Sequence, residues 1–333
     1  MKVVITGGAG FLGQLLIRAL CARGVLTDAA GGEREIEQIV AIDQGHTQRL
    51  FVDERVGYVV GDISVPALLK HVLATDTDVM FHLAAVVSGA AEADFDLGMR
   101  VNLDGTRALL DACRTQRAQV KLVFASSVAV FGGALPAVVT DETAATPVSS
   151  YGVQKLIGEL LVGEFARKGF IDGRAVRLPT IVVRPGKPNA AASSFASSII
   201  REPLAGEEAI CPVEADTALW LLSPQAAIDA LLHAHELPRA RWDAVTHGRA
   251  LNLPGLTVTV REMLEALRAV GGDAAVARVK VAPDPRIKAI VQSWPARFDA
   301  ARAAALGFRA DAGIDAVVRA YAQAHAAAPG SAA

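Results

Sequence analysis

Little in the sequence could hold the chain together covalently. Its 333 residues include three cysteines, Cys21, Cys113 and Cys211, widely spaced and without a CxxC pair. That spacing argues against a disulfide framework, a zinc knuckle and a dithiol redox site, so no metal is expected and a reducing cytoplasm suits the chain. Charge of one sign is also lacking: 33 Lys and Arg face 35 Asp and Glu, for a net charge of −2. Neither nucleic acid nor an anionic membrane is therefore an expected partner. Long apolar runs are missing too. The greasiest stretch, residues 11–26, is broken by Gln14, Arg18 and Arg23, short of the ~18 apolar residues a spanning helix needs. Met1-Lys2 runs straight into Val3-Val4-Ile5, leaving no room for a signal-peptide core. Aromatics make up only 5%, Ala supplying much of the 52% apolar fraction, and no repeat of roughly 20–50 residues is visible.

What the sequence does contain is an alternation. Short β-branched runs at 2–6, 39–43, 56–60, 79–83, 121–126 and 175–183 are separated by helical spacing of apolar residues at 11–23, 64–75, 94–116 and 151–167. Nearly continuous apolar strands belong inside a parallel sheet covered on both faces. The expected fold is α/β, a doubly wound parallel sheet of the Rossmann kind. It would span residues 1–186 and carry the dinucleotide and the catalytic residues, followed by a smaller, mainly helical substrate lobe at 187–325 and a frayed tail at 326–333. Residues 27–37 read as a loop that enlarges the first crossover.

The chemistry gathers at strand ends. Gly7-Gly8-Ala9-Gly10-Phe11-Leu12-Gly13 follows a strand and opens a helix, the context in which glycines let a pyrophosphate reach a helix N-terminus. Asp43 ends the second strand, where a carboxylate accepts hydrogen bonds from a ribose and disfavours a 2′-phosphate, so NAD is expected over NADP. It stands further from Gly13 than the ~20 residues usual for this motif; Glu33 and Glu35 match the shorter spacing, but neither ends a strand. Asp62, with Ile63, follows the third strand as an adenine contact or a helix cap. His82-Leu83-Ala84-Ala85 ends the fourth with small residues that let backbone approach a cofactor. His82 itself, on an apolar strand, reads as core packing. Tyr151 and Lys155 stand four apart on a helix, on one face. A phenol near pKa ~10 is too weakly acidic for a base unless cations draw it down, a part expected of Lys155 and the nicotinamide. Ser126-Ser127 closes the strand before, within reach of the same site.

In this order the motifs resemble the extended short-chain dehydrogenase/reductase family, also called the nucleotide-sugar epimerase/dehydratase family. The resemblance runs over residues 1 to about 186 through Thr6–Gly13, Asn102–Thr106, the serine before Val130-Phe131-Gly132 and the Tyr151–Lys155 pair. It implies a catalytic set of Ser127, Tyr151 and Lys155. For NAD it implies contacts from Gly7, Gly10, Phe11, Leu12 and Gly13, then Asp43, Asp62 and Ile63, then Leu83, Ala84 and Ala85, with Asn102, Ser126, Tyr151, Lys155 and Pro179 completing the cradle. Departures narrow the chemistry. Val128-Ala129 stands where the family's dehydratases carry an Asp-Glu pair, and Thr180 replaces the Asn that epimerases use toward a nucleotide. Similarity in the lobe, at 193–195, 201–206 and 252–255, implies oxidation of a small sugar acid at its 2-hydroxyl to the 2-keto acid. Ser88, Ser127, Tyr151 and Arg184 are the expected substrate contacts, with Lys187 a second nearby cation; Arg184 reads equally as a surface or ion-paired residue. A nucleotide-sugar epimerase that recycles NAD and a non-catalytic NAD sensor remain alternatives. The family also pairs through two helices, here 94–116 and 151–167, which would make a homodimer.

Overall fold

Strands that are apolar on both faces can rest only between two layers of helices. The computed structural model, which describes residues 1–45, 50–73, 76–186 and 191–326, puts them there. Seven strands form one sheet: β1 (Lys2–Thr6), β2 (Gln38–Asp43), β3 (Val56–Val60), β4 (Val79–His82), β5 (Val120–Ser127), β6 (Ile171–Leu178) and β7 (Leu251–Asn252). Their spatial order is β7-β6-β5-β4-β1-β2-β3, with every pairing parallel. This is the 3-2-1-4-5-6 order of a dinucleotide-binding sheet with one strand added, and the order reverses between β1 and β4, where a crevice opens at the carboxyl ends.

Successive residues face opposite cores. Val3, Ile5, Ile39, Ala41, Phe81 and Val123 pack with Leu16, Ile17 and Leu20 of the helix Phe11–Arg23 and with Ile228 and Leu231 of Pro224–Glu236. Val4, Val40, Ile42, Met80, Leu122 and Phe124 pack on the other side with Leu69, Leu109, Leu110, Cys113 and Val162. The period-2 alternation thus assigns each strand residue to one helical layer.

Four features depart from the sequence expectations. Residues 27–37 are not simply a loop, because Val25–Thr27 and Glu33–Glu35 pair as a small antiparallel hairpin. The helical run 94–116 contains a wide turn, Met99–Gly105, between Phe95–Gly98 and Thr106–Arg114. The strand expected over 175–183 ends at Leu178. Pro179 has no N–H to extend the ladder, and Thr180–Ile181 instead joins Ala218–Leu222 and Leu256–Thr259 in a second sheet. Residues 224–252 return from the lobe to the main sheet, where β7 pairs with β6. The lobe proper has its own core around Phe195, Ile199, Leu219, Leu221, Met263 and Leu267. Among the described residues no helix is long and apolar enough to cross a membrane and no cluster of His, Cys, Asp or Glu could hold a metal ion. Lys187 and residues 327–333 of the expected tail lie outside the described residues.

Candidate active site

A cavity of about 640 Å³ opens at the carboxyl ends of the strands. Its floor is the glycine turn. Gly7 takes φ +73°, and a Cβ there would sit 2.8 Å from the Ala84 nitrogen. A Cβ on Gly13 would stand 2.2 Å from the Gly7 carbonyl oxygen, so only glycine lets the helix start this close to the strand. That helix has Gly10 as N-cap, no side chain capping it and no acid in its first turn. Its leading N–H groups and the positive end of its dipole therefore remain available to an anion. Asp43 also lies on the wall, one oxygen accepting from the Ala9 N–H (3.0 Å) and the other from that of Gln44 (2.8 Å). Each oxygen keeps a lone pair for a ribose hydroxyl. An anion-binding helix end beside a strand-end carboxylate fits the pyrophosphate and ribose of NAD.

Phe11, Leu12, Ile63, Leu83, Ala84, Ala85, Ser126 and Pro179 line the same cavity. Asp62 and Asn102 stand behind the wall. Asp62 accepts the Ser64 N–H (2.8 Å) and faces Arg100 (3.6 Å). Asn102, buried, grips the Val86 peptide at both its N–H (2.7 Å) and C=O (3.0 Å) and donates to Gln154 (2.7 Å). Its side chain thus shapes the loop after β4. His82 is a core histidine. Thr106 donates to the Asn102 carbonyl (2.6 Å), so its oxygen accepts the His82 Nε2–H (2.9 Å), and Nδ1 accepts from Thr6 (2.6 Å). Burial first, and Lys155 second, push its pKa down to about 3, so the ring is neutral.

Above the cradle the helix Ser150–Arg167 begins at an N-cap, Ser149, whose side chain accepts the Gly152 N–H (3.2 Å). Tyr151 falls in its first turn, where the nearby Ser127 hydroxyl draws the phenol's pKa down. Lys155, buried, donates to the Ala125 carbonyl (2.8 Å) and lies 4.8 Å from the Phe124 ring centre and 5.7 Å from that of Tyr151. Burial pushes the phenol up to about 12 against the pull of Ser127 and Arg184, and pushes the lysine down to about 8 against the pull of Glu159. This corrects one expectation: the chain's own residues do not keep Tyr151 ionised at neutral pH. The Ser126 hydroxyl is turned away to the Glu159 carboxylate (2.5 Å).

Arg184 lines the cavity with Tyr151, its guanidinium 6.0 Å from the Phe11 ring centre. Its backbone is pinned on both sides, the N–H donating to Ser197 (3.0 Å) and the carbonyl accepting from Arg201 (2.7 Å). Ser88 opens the helix Ser88–Ala93 on the same wall, followed a turn later by Glu92. Thr180, which the sequence marks as a departure from the epimerases, lines the far wall; sequence reasoning missed its neighbours Trp220, Ile290, Ser293 and Trp294. Trp220 stacks on Phe298 at 5.2 Å. The last four carry no local motif; only the scarcity of tryptophan in the chain could have hinted at two of them.

Comparison with known proteins agrees with this geometry. Residues 3–253 match the model of the NAD dependent epimerase/dehydratase family. A D-erythronate dehydrogenase from Cupriavidus necator is 57% identical over 321 residues, 96% of this chain and 98% of that protein. One from Haemophilus influenzae is 44% identical over the same shares. A crystal structure of a protein described as the nucleoside-diphosphate-sugar epimerase from Agrobacterium tumefaciens superposes with a TM-score of 0.89 at 41% identity, covering 97% of this chain and 94% of that one. The family match takes in both the glycine turn and the Tyr151 helix, and the chain belongs to the NAD dependent epimerase/dehydratase family, the extended short-chain dehydrogenases/reductases.

Proposed function

We propose that the protein is an NAD-dependent dehydrogenase that oxidises the 2-hydroxyl of a small sugar acid, D-erythronate or a close relative, to the 2-keto acid. The observation that carries this reading is Arg184, a half-buried guanidinium on the cavity wall beside Tyr151, with no carboxylate partner among the described residues. A planar fork of that kind suits a substrate carboxylate. The two relatives named for D-erythronate oxidation match nearly the whole chain and support the same substrate class.

Bound NAD, held by the glycine turn, the open helix end, Asp43 and Lys155, supplies the hydride acceptor and a positive ring. The remaining work belongs to the chain. Arg184 anchors the carboxylate, with Ser88 available to a further hydroxyl. Tyr151 Oη, as phenolate after releasing its own proton to solvent, takes the proton of the reacting hydroxyl, and Ser127 donates a hydrogen bond as negative charge develops on that oxygen. With burial raising the phenol to about 12, the charge the protein sets against it is Arg184.

The test is to mix protein, NAD and a panel of aldonic acids and follow NADH absorbance. Net NADH with D-erythronate supports the reading; no NADH with any acid, together with epimerisation of a nucleotide sugar, overturns it. Tyr151→Phe is expected to lower turnover roughly 10²–10⁴-fold while NAD still binds. A cytoplasmic setting suits three buried free cysteines. A homodimer through the two long helices is part of the same proposal, supported by the exposed Phe95, Val153 and Leu160.

A further inference from the structure

Three successive residues at the end of β5 each meet a residue of the helix Ser150–Arg167. Lys155 donates to the Ala125 carbonyl (2.8 Å), Ser126 donates to Glu159 (2.5 Å), and Ser127 stands close enough to Tyr151 to draw its phenol's pKa down. Tyr151, Lys155 and Glu159 follow one another at four-residue spacing, so they share a helix face. The first and last of these contacts belong to the catalytic set. The middle one does not: Glu159, only 6% exposed, reaches neither the cavity wall nor solvent. Its carboxylate is gripped on both oxygens by Arg177 of β6 (2.9 and 2.8 Å), which also donates to Asn252 of β7 (3.2 Å).

We propose that Glu159 is a positioning residue for the reaction: tied to Ser126 and anchored by Arg177, it sets the distance between the strand end that carries Ser127 and the helix that carries Tyr151 and Lys155. A carboxylate suits that place better than an amide. It accepts from Ser126 and from both arms of the Arg177 fork at once, and its charge lies one helical turn from the Lys155 ammonium. The other groups facing that ammonium are the Phe124 and Tyr151 rings, the Ala125 carbonyl and the neutral His82. Glu159 is thus the nearby negative charge that opposes the burial of Lys155, and it holds the lysine's pKa higher than burial alone would leave it.

The inference rests on the dehydrogenase reading only for its kinetic readout, so the test has a second arm that needs no substrate. In protein labelled at its lysine side chains, with the Lys155 resonance assigned by its loss in Lys155→Arg, Glu159→Gln is expected to move the Lys155 titration to lower pH. Turnover is expected to fall about tenfold to a hundredfold, as misplacement of a reacting group does, with its alkaline limb shifted the same way and NAD affinity within twofold of the parent. Glu159→Asp should recover part of the loss. Ser126→Ala, which removes the cross-link and leaves the Glu159 charge in place, should lower turnover without moving the lysine titration, with NAD affinity measured alongside because Ser126 also lines the cavity, and it keeps the test open if Glu159→Gln does not fold. An unmoved Lys155 titration in Glu159→Gln, or turnover in Ser126→Ala within twofold of the parent, overturns the proposal. If the parent makes no NADH from any acid, the substrate reading has failed and the lysine titration still decides the role of Glu159.

Discussion

At the residue scale, Arg184 and Tyr151 share a wall, and the proposed reaction gives them different work that substitution separates. Arg184→Lys keeps a charge but loses the planar fork, and a bond to a charged group contributes about 1.5–3 kcal/mol. The expected result is a rise in KM for the acid of roughly tenfold to a hundredfold with a smaller change in kcat, read from initial rates over a range of substrate concentrations. A matching loss in kcat at unchanged KM would place the guanidinium in the chemical step instead. Residues inside local motifs were legible in the sequence because each motif is a backbone requirement: Gly7 and Gly13 must lack a side chain, and Tyr151 and Lys155 must share a helix face. Side-chain direction was not. Ser126 points to Glu159, and Asn102 to the Val86 peptide, because buried polar groups take the nearest partner that satisfies them. Trp220 and Trp294 meet the site only through the closure of the lobe over the sheet, which no short spacing records.

At the scale of elements, the strands could be read because burial on both faces leaves a continuous apolar run, as in β1 and β4. The hairpin Val25–Thr27/Glu33–Glu35 could not, because its second strand, Glu33-Arg34-Glu35, is wholly exposed and shows no apolar alternation. The turn at Met99–Gly105 was hidden for another reason: one extra residue in a helix leaves its apolar spacing almost unchanged over two turns. The junction of β1 with the first helix is the element most sensitive to a single methyl. A Cβ at Gly13 meets backbone atoms, the Gly7 carbonyl oxygen at 2.2 Å and the Gly8 Cα at 2.7 Å, neither of which can rotate away. Gly24 at the far end of the same helix has φ +73° and nothing within 4 Å. Gly13→Ala is therefore expected to abolish NAD binding and to lower the urea midpoint sharply. Gly24→Ala should cost about 1 kcal/mol and leave NAD affinity unchanged. Equal effects in the two variants, measured by NAD titration and urea unfolding, would contradict this account of the turn.

At the scale of the whole molecule, stability should fall in acid for a reason that involves both cores. Burial pushes His82 and His235 down to about 3, so each is neutral when folded but takes a proton when unfolded below about 6.5. The unfolded state therefore binds more protons between about pH 6.5 and 3. The stability these rings contribute is fully present above that window and declines through it, by up to about 1.4 kcal/mol per pH unit for each histidine. Urea midpoints at about pH 7.5 and 5.5 should differ in that direction, and His82→Gln should reduce the difference. Association belongs to the same scale. Phe95, Val153 and Leu160 are 60%, 41% and 66% exposed on the two helical segments expected to pair, and Val153 and Leu160 lie two turns apart on one face. Covering such a face removes apolar area worth about 25 cal/mol per Å² from water, and a lasting dimer buries roughly 1,600 Å² or more in total. Leu160→Glu would set a charge within the apolar face proposed to pair. Light scattering is expected to give twice the chain mass for the parent and the single-chain mass for the variant, with NAD binding intact in both. A parent that runs as a single chain rules out the pairing.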